Sequence, residues 1–303
     1  MSGTVFVTGA DARYFSMACG LSQAFKLSCP GEKLYICDFG LTPGQRRFLE
    51  KQGVLLRAPE DLKKGTHPFI LKASLGRFIE SLDHDAVVWI DCDCVGMTPI
   101  HEAIAAMLES VGDSDVLAVC ENTGEGSIGD FLSRFDAEPF AALVAERGLS
   151  QKLPYFNSGV FCLRSRELLE RWASMTCEIE PHVVFEQNVF NVLAHSLPLK
   201  LLVLDHQIWN AHHTDLSRIE LRKPEPQRLF LEDKPVAVVH ATSSSPGFIE
   251  EREFSLRVES HSFSGFYKLF VNPVIRDYQQ AAIEGFVAGH QEQLAECGLL
   301  QPA

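Results

Sequence analysis

Asp91 and Asp93 end the apolar run Ala86-Val87-Val88-Trp89-Ile90, with only Cys92 between them. Two such carboxylates repel, and each raises the pKa of the other. A divalent cation held between them removes that cost. Hard carboxylate oxygens suit Mg2+, Mn2+ or Ca2+ rather than Zn2+. The spacing alone carries no information, because the chain has six acid-x-acid pairs, close to what 40 acids in 303 residues give by chance. Context sets this pair apart. It directly follows a fully apolar run, which places it at the carboxyl end of a strand, where α/β proteins bind ligands. Residues i and i+2 of an extended chain point to one side, so both carboxylates can reach one ion. Capping or turn chemistry is the alternative reading. His240, after the run 236–239, offers a third ligand on another strand end; a lone histidine there is otherwise structural.

These groups need a frame. Residues 4–8 (TVFVT), 33–37, 54–56, 86–90 and 116–119 read as short strands. Helical patterns lie between them, over 16–27, from Thr42 to Gly53, over 71–82 and from Thr98 on. Thr42 is a cap, Pro43 the first helical residue, Gln45 closes a capping box and Gly53 stops the helix. The β-α-β-α order predicts a parallel sheet sandwiched by helices. Further strands are expected at 160–163, 199–204 and 236–240, with helices near 165–176 and 185–195. Residues 210–235 read as a long polar loop, and 265–297 as helical, broken at Pro273. The expected division is a principal domain over 1–250 and a helical C-terminal extension over 251–303, packed on the same domain.

Composition bounds the function. A net charge of −13 argues against a nucleic-acid footprint, which needs a basic face. It leaves room for a phosphate-bearing ligand if a metal supplies positive charge. No apolar run approaches the length of a membrane span and no secretory signal is visible. The nine cysteines form no close-spaced framework. Free thiols in a reducing, cytoplasmic setting are expected.

Two kinds of site place D-x-D after a buried strand. Asp91-Cys92-Asp93-Cys94-Val95 resembles the D-x-D-x-[TV] of haloacid-dehalogenase-like phosphatases. That motif normally opens its domain, and no paired acids follow a later strand here. More of the chain resembles glycosyltransferase family 8 and its relatives, including glycogenin. The matching pieces are TGADARY, ILKASLGRFIESLDHDAVVWIDCD, YFNSGVFCL, FEQNVFN and VVHAT, in order over about residues 3–248. The resemblance implies a GT-A nucleotide-diphospho-sugar transferase fold with a mostly parallel, Rossmann-like central sheet flanked by helices. It implies a UDP-hexose donor, a divalent metal (Mn2+ or Mg2+), and retention of anomeric configuration. Asp91, Asp93 and His240 would be metal ligands. Thr8, Gly9, Ala10, Asp11 and Tyr14 would line the nucleotide, with Cys92 beside it. Lys72 would lie near the phosphates, and Asn157, Ser158 and Gln187 would face the sugar; Lys72, Asn157 and Gln187 are the catalytic candidates. Nothing in the sequence names the acceptor.

The chain departs from the family pattern at two places. Glu186-Gln187 stands where the family has Asp-Gln. ATSSSPGF follows His240 in place of a stretch ending Lys-Pro-Trp, so the lysine that neutralises diphosphate is missing. Lys72, Arg77 and Lys234 are candidate substitutes. A non-catalytic nucleotide-sugar-binding protein on the same fold is the alternative this motivates. Plainer readings stand beside the sharp ones. Tyr14 covers a helix start, Asp11 is an N-cap, Lys72 is an exposed lysine, Asn157-Ser158-Gly159 is a turn, and Gln187 complements a helix dipole. His206, His212 and His213 read as a solvated cluster. Gly124 to Gly129 matches G-x-G-x-x-G, but after the fifth strand rather than the first, so a glycine-rich loop over the site is the better reading.

Overall fold

The computed structural model describes residues 3–62, 65–96, 98–222, 228–242, 246–258 and 260–302. The chain opens with β1 (Gly3–Ala10), α1 (Phe15–Ser28), β2 (Leu34–Asp38), α2 (Pro43–Gln52) and β3 (Leu55–Leu56). It continues through α3 (Pro68–Ala73), α4 (Leu75–Phe78), β4 (His84–Ile90), β5 (Cys94–Gly96), α5 (Ile100–Val111) and β6 (Val116–Glu121). Next come α6 (Ile128–Arg134), α7 (Glu138–Glu146), β7 (Phe156–Arg164), α8 (Arg166–Glu178), α9 (Phe185–Ser196), β8 (Lys200–Leu204) and α10 (His206–Trp209). The last part holds β9 (Ile219–Arg222), β10 (Arg228–Leu231), β11 (Lys234–Pro235), β12 (Val238–His240), β13 (Ile249–Val258), β14 (His261–Phe270), α11 (Pro273–Gly289), α12 (Gln291–Glu296) and β15 (Gln301–Pro302).

A seven-stranded sheet runs β3-β2-β1-β4-β7-β6-β8 and is flanked by helices. The pairs β1–β2, β2–β3 and β6–β8 are parallel, and β6–β7 is antiparallel. The expected α/β class and mostly parallel sheet are both present. So is the capping box of α2: Gln45 N–H donates to Thr42 Oγ1, Thr42 N–H donates to Gln45 Oε1, and Gly53 closes the helix at φ 66°.

The chain folds into two compact units. The first comprises Met1–Val5, Ala58–Trp89 and Ala105–His206. Its hydrophobic cluster includes Phe131, Phe140, Tyr155 and Val192. Helix α9 is buried along its whole face from Phe185 to Ala194, so its polar residues need internal partners. The expected helix over 71–82 is broken at Ser74 into α3 and α4. Strand β7 starts four residues earlier than expected and carries Asn157 and Ser158 inside it. Its register against β6 jumps from Phe161 opposite Val119 to Asn157 opposite Cys120, a bulge that re-aims the intervening side chains.

The second unit comprises Phe6–Arg57, Ile90–Ile104 and Gln207–Ala303. Two expectations fail here. Residues 210–235 are not a plain loop, since β9, β10 and β11 form an antiparallel meander with Leu229 and Leu231 fully buried. The C-terminal stretch is not helical from its start. It opens with the ten-residue pairs of the β13–β14 hairpin, and Pro273 is the first residue of α11 rather than a break within a helix. The alternation of polar and apolar residues in IEEREFSLRV and HSFSGF is the period of a half-buried strand.

Candidate functional site

The apolar β4 stops at Ile90, where the second unit resumes, and a turn closed by Cys94 N–H to Asp91 O (3.0 Å) carries Asp91, Cys92 and Asp93. The pair thus converges through a turn and not along an extended chain. Strand β5 follows at once and pairs with β12 in a register that sets His240 opposite Cys94. Ala241 N–H donates to Asp93 O (3.0 Å), which fixes the strand end against the turn. His240 Nε2 consequently lies 3.2 Å from Asp93 Oδ1 and 3.8 Å from Asp91 Oδ2.

Asn210 orients the ring. Its Oδ1 lies 2.9 Å from His240 Nδ1; in the tautomer whose Nδ1 donates to Asn210, Nε2 presents a lone pair to the two carboxylates. Electron-pair donors facing one another at such distances call for a cation. The O, O, N set of Asp91, Asp93 and His240 fits Mn2+ or Mg2+. Cys94 Sγ joins Asp93 and His240 in a group whose ligand atoms all lie within 4.8 Å of one another. The segment expected to be solvated is buried instead. Asn210, Ala211 and His212 are inaccessible, because Ala211 N–H donates to Val238 O and His240 N–H to Ala211 O.

Lys268 from β14 is the second cation-bearing feature. Its Nζ lies 2.7 Å from Asp93 Oδ2, and its side chain is 6% exposed. Burial opposes ionisation of Asp93, but Lys268 and then His240 outweigh it and hold the carboxyl well below the usual range. Burial likewise opposes the charge of Lys268, and Asp93 more than offsets it, so the ammonium is held above its ordinary value. Sequence reasoning missed this residue because 265–297 read as helix. The signal was a lysine inside the apolar run Phe266-Tyr267-Lys268-Leu269-Phe270.

The other expected residues of this unit take mixed places. Asp11 Oδ1 accepts N–H groups from Arg13 and Tyr14 (2.9 Å each), holding the turn into α1. Tyr14 is half-buried; its ring packs edge-on to Phe266, and Lys268 Nζ lies 5.6 Å from its centroid. Burial, partly opposed by Lys268, raises its pKa. Thr8 and Ala10 are buried within β1. Gly9 is set by packing, since a Cβ there would overlap the Phe39 ring. Cys92 is half-buried.

The first unit gathers the remaining candidates into a buried polar network. Lys72 Nζ lies 3.3 Å from Glu186 Oε1 and 3.2 Å from Ser158 Oγ. Lys72 is therefore buried and paired rather than an exposed solubilising lysine. Ser158 Oγ donates to Glu186 Oε1 (2.9 Å), and Ser158 N–H donates to Gln187 Oε1 (3.0 Å). Gln187 Nε2 donates to Tyr155 OH, which donates to Asn188 Oδ1 (2.6 Å). Asn157 Nδ2 donates to Asn122 Oδ1, and Asn122 in turn holds Glu125 of the glycine-rich segment. Arg134 pairs with the same Glu125. Val184, at φ 41°, is the N-cap of α9; this strained conformation for a β-branched residue stands two positions before Glu186. Arg77 pairs with Asp61, and Lys234 with Gln207, so these two candidate substitutes for the missing lysine have other partners.

No protein-family model and no curated protein matches the chain. Solved structures do match. The bifunctional glycosyltransferase WbbM matches with a TM-score of 0.53 at 15% identity, over 79% of this chain and 45% of that one. The glycosyltransferase GlyE of Streptococcus pneumoniae matches at 0.53 and 13%, over 100% of this chain and 65% of that one. The galactosyltransferase LgtC, solved with donor and acceptor sugar analogs, matches at 0.49 and 18%, over 78% and 86%. The chain has the GT-A fold. It spans less than two thirds of the WbbM and GlyE chains. At these identities the likeness is one of architecture. In GT-A terms, the Asp91–Asp93 turn follows the fourth strand of the central sheet, and β12 brings His240 to it. None of the described helices is long and apolar enough to cross a membrane.

Proposed function

We propose that this protein is a metal-dependent glycosyltransferase that moves a hexose from a nucleotide-sugar, a UDP-sugar, to an acceptor hydroxyl with retention of configuration. The observation that carries the reading is the convergence of Asp91, Asp93 and His240, whose ring is held at Nδ1 by Asn210. A divalent ion held there would supply positive charge to a diphosphate leaving group.

The chain's own residues do the rest. Asp91, Asp93 and His240 hold the ion, and Asn210 keeps the His240 tautomer. Tyr14 offers a ring to the base, beside the turn that Asp11 maintains. In the first unit Asn157, Ser158, which the β7 bulge re-aims, and Gln187 are the sugar-reading groups. Lys72 neutralises Glu186 and keeps Ser158 and α9 in register. The nine cysteines are free thiols, in keeping with a cytoplasmic setting.

The test is turnover. UDP-hexoses should release UDP with Mn2+ and not with EDTA, and Asp91→Asn should lower the rate at least about 100-fold, the scale of losing one transition-state charge contact. Undiminished turnover in EDTA or in D91N would overturn the reading. NMR of the product anomer tests retention. One observation favours a binder instead: the Gln187 amide is engaged at both ends, by Ser158 and Tyr155. Tight UDP binding with neither hydrolysis nor transfer would support that alternative.

A further inference from the structure

We infer that Lys268, delivered by the C-terminal hairpin, is the diphosphate-binding cation of this site. The inference rests on the nucleotide-diphosphate reading above and adds to it a residue and an element that the sequence motifs do not contain.

Charge is the starting point. Asp91 and Asp93 bring two negative charges to one turn, and a divalent ion offsets both. A nucleoside diphosphate arriving there adds further negative charge, so one more fixed cation is needed. Lys268 is that cation, with Nζ 2.7 Å from Asp93 Oδ2. Its ammonium has three donors, and among the described residues its one hydrogen bond is to Asp93.

A purely structural role explains the pair poorly. Burying a lysine and an aspartate together brings little net stability, because desolvation of two ions offsets their attraction. The position is nonetheless built with care. Lys268 sits in β14 opposite Glu251 of β13. Its carbonyl accepts from Gln279 Nε2 of α11 (2.9 Å), and its N–H faces Met17 Sδ of α1 (3.4 Å). Three elements thus hold the backbone of one lysine, and its ammonium lies 2.7 Å from Asp93 Oδ2 and 5.6 Å from the Tyr14 ring centroid. An ammonium beside the ring offered to a base and the carboxylate offered to a metal occupies the position a diphosphate must pass. The stretch after His240 contains no lysine, and Lys268 supplies the charge from elsewhere in the chain.

The test is calorimetric, on the full chain, with UDP, UMP and inorganic pyrophosphate as probes and Mn2+ present. Lys268→Met keeps the aliphatic stem and removes the charge. It should weaken UDP and pyrophosphate by roughly 10- to 100-fold, the range of a charge-assisted hydrogen bond. UMP should change by less than about 3-fold, as the uridine contacts remain. Lys268→Arg should retain most of the UDP affinity. A second readout separates binding from structure: Mn2+ affinity without nucleotide, followed by electron paramagnetic resonance. Lys268 repels an ion that shares Asp93, so K268M should bind Mn2+ as tightly as wild type or more tightly. A merely structural lysine would lower Mn2+ and UDP affinity together, and that result would overturn the inference. So would K268M binding UDP as wild type does. Wild-type protein that binds neither UDP nor pyrophosphate with Mn2+ would overturn the nucleotide-diphosphate reading itself, and the inference with it.

Discussion

The Lys72–Glu186 pair gives the sharpest stability prediction. The two side chains are 8% and 3% exposed, with Nζ 3.3 Å from Oε1. Lys72→Met removes one charge and leaves the Glu186 carboxylate buried without its ion-pair partner. Breaking a buried pair from one side costs about 3–5 kcal/mol. In a chain of this size each kcal/mol lowers Tm by roughly 2 °C, so K72M should melt about 6–10 °C below wild type. Glu186→Gln alone should also destabilise, because it strands the ammonium. The double variant K72M/E186Q removes both charges while Gln can still accept from Ser158 Oγ, now 2.9 Å from Glu186 Oε1. It should recover at least about 2 kcal/mol relative to the sum of the single changes, the coupling expected of side chains in contact. Urea unfolding of the four proteins measures this cycle. Loss of less than about 1 kcal/mol in K72M, or strict additivity in the double variant, would refute the role assigned to Lys72.

Asn191→Ala should lose about 2–4 kcal/mol in urea unfolding, because the Asn191 side chain serves both the N–H (2.7 Å) and the C=O (2.9 Å) of buried Phe156. A loss under about 1 kcal/mol, the worth of one net hydrogen bond, would contradict that pairing. In native protein, Cys177 should be the single thiol that reacts fast with a disulfide reagent, and Cys177→Ser should abolish the fast phase. Cys92 stays slow because burial, and then Asp93 and Asp91, push its thiol up; burial also pushes Cys162 up to about 12. Two fast equivalents would contradict this. Asp38 is buried, which opposes ionisation, but Arg46 and the N–H groups of Leu41 and Gly40 outweigh that and lower its pKa. Its stabilisation is therefore full above the unfolded value of about 4 and is lost as pH falls through the folded value. Asp38→Asn should flatten the acid limb of the Tm–pH profile; a parallel profile would refute the assignment.

The sequence was most legible where local rules and tertiary contacts agree. The capping box of Thr42 and Gln45, the buried run 86–90 and the β-α alternation each follow from period and cap chemistry. His240 was legible as a strand-end ligand, but the β5–β12 register that brings it to the turn is a long-range pairing with no local signature. Asn210 and His212 looked like solvated polar residues because nothing nearby announces that Ala211 bridges to β12. Lys268 was lost through a wrong period: the stretch from Gly265 on reads as helix, and a lysine on a helix has an obvious place in solvent. As part of a strand, the same lysine stands in an apolar run and needs an acid partner. Lys72 reads as an exposed lysine on one long helix over 71–82, and the break at Ser74 ends that helix one residue after it.

The central claim is that Asp91, Asp93 and His240 hold a divalent ion to which a nucleoside diphosphate binds. Calorimetric titration of UDP into wild-type protein and Asp91→Asn, each with Mn2+ and then with EDTA, tests it most directly. Asp91 is the ligand of choice because its side chain is 25% exposed and its loss spares the Asp93–Lys268 pair. The account predicts Mn2+-dependent UDP binding in wild type, weakened at least about 10-fold by EDTA and equally by D91N, a difference of about 1.4 kcal/mol. UDP affinity that is indifferent to Mn2+, or unchanged in D91N, would contradict it.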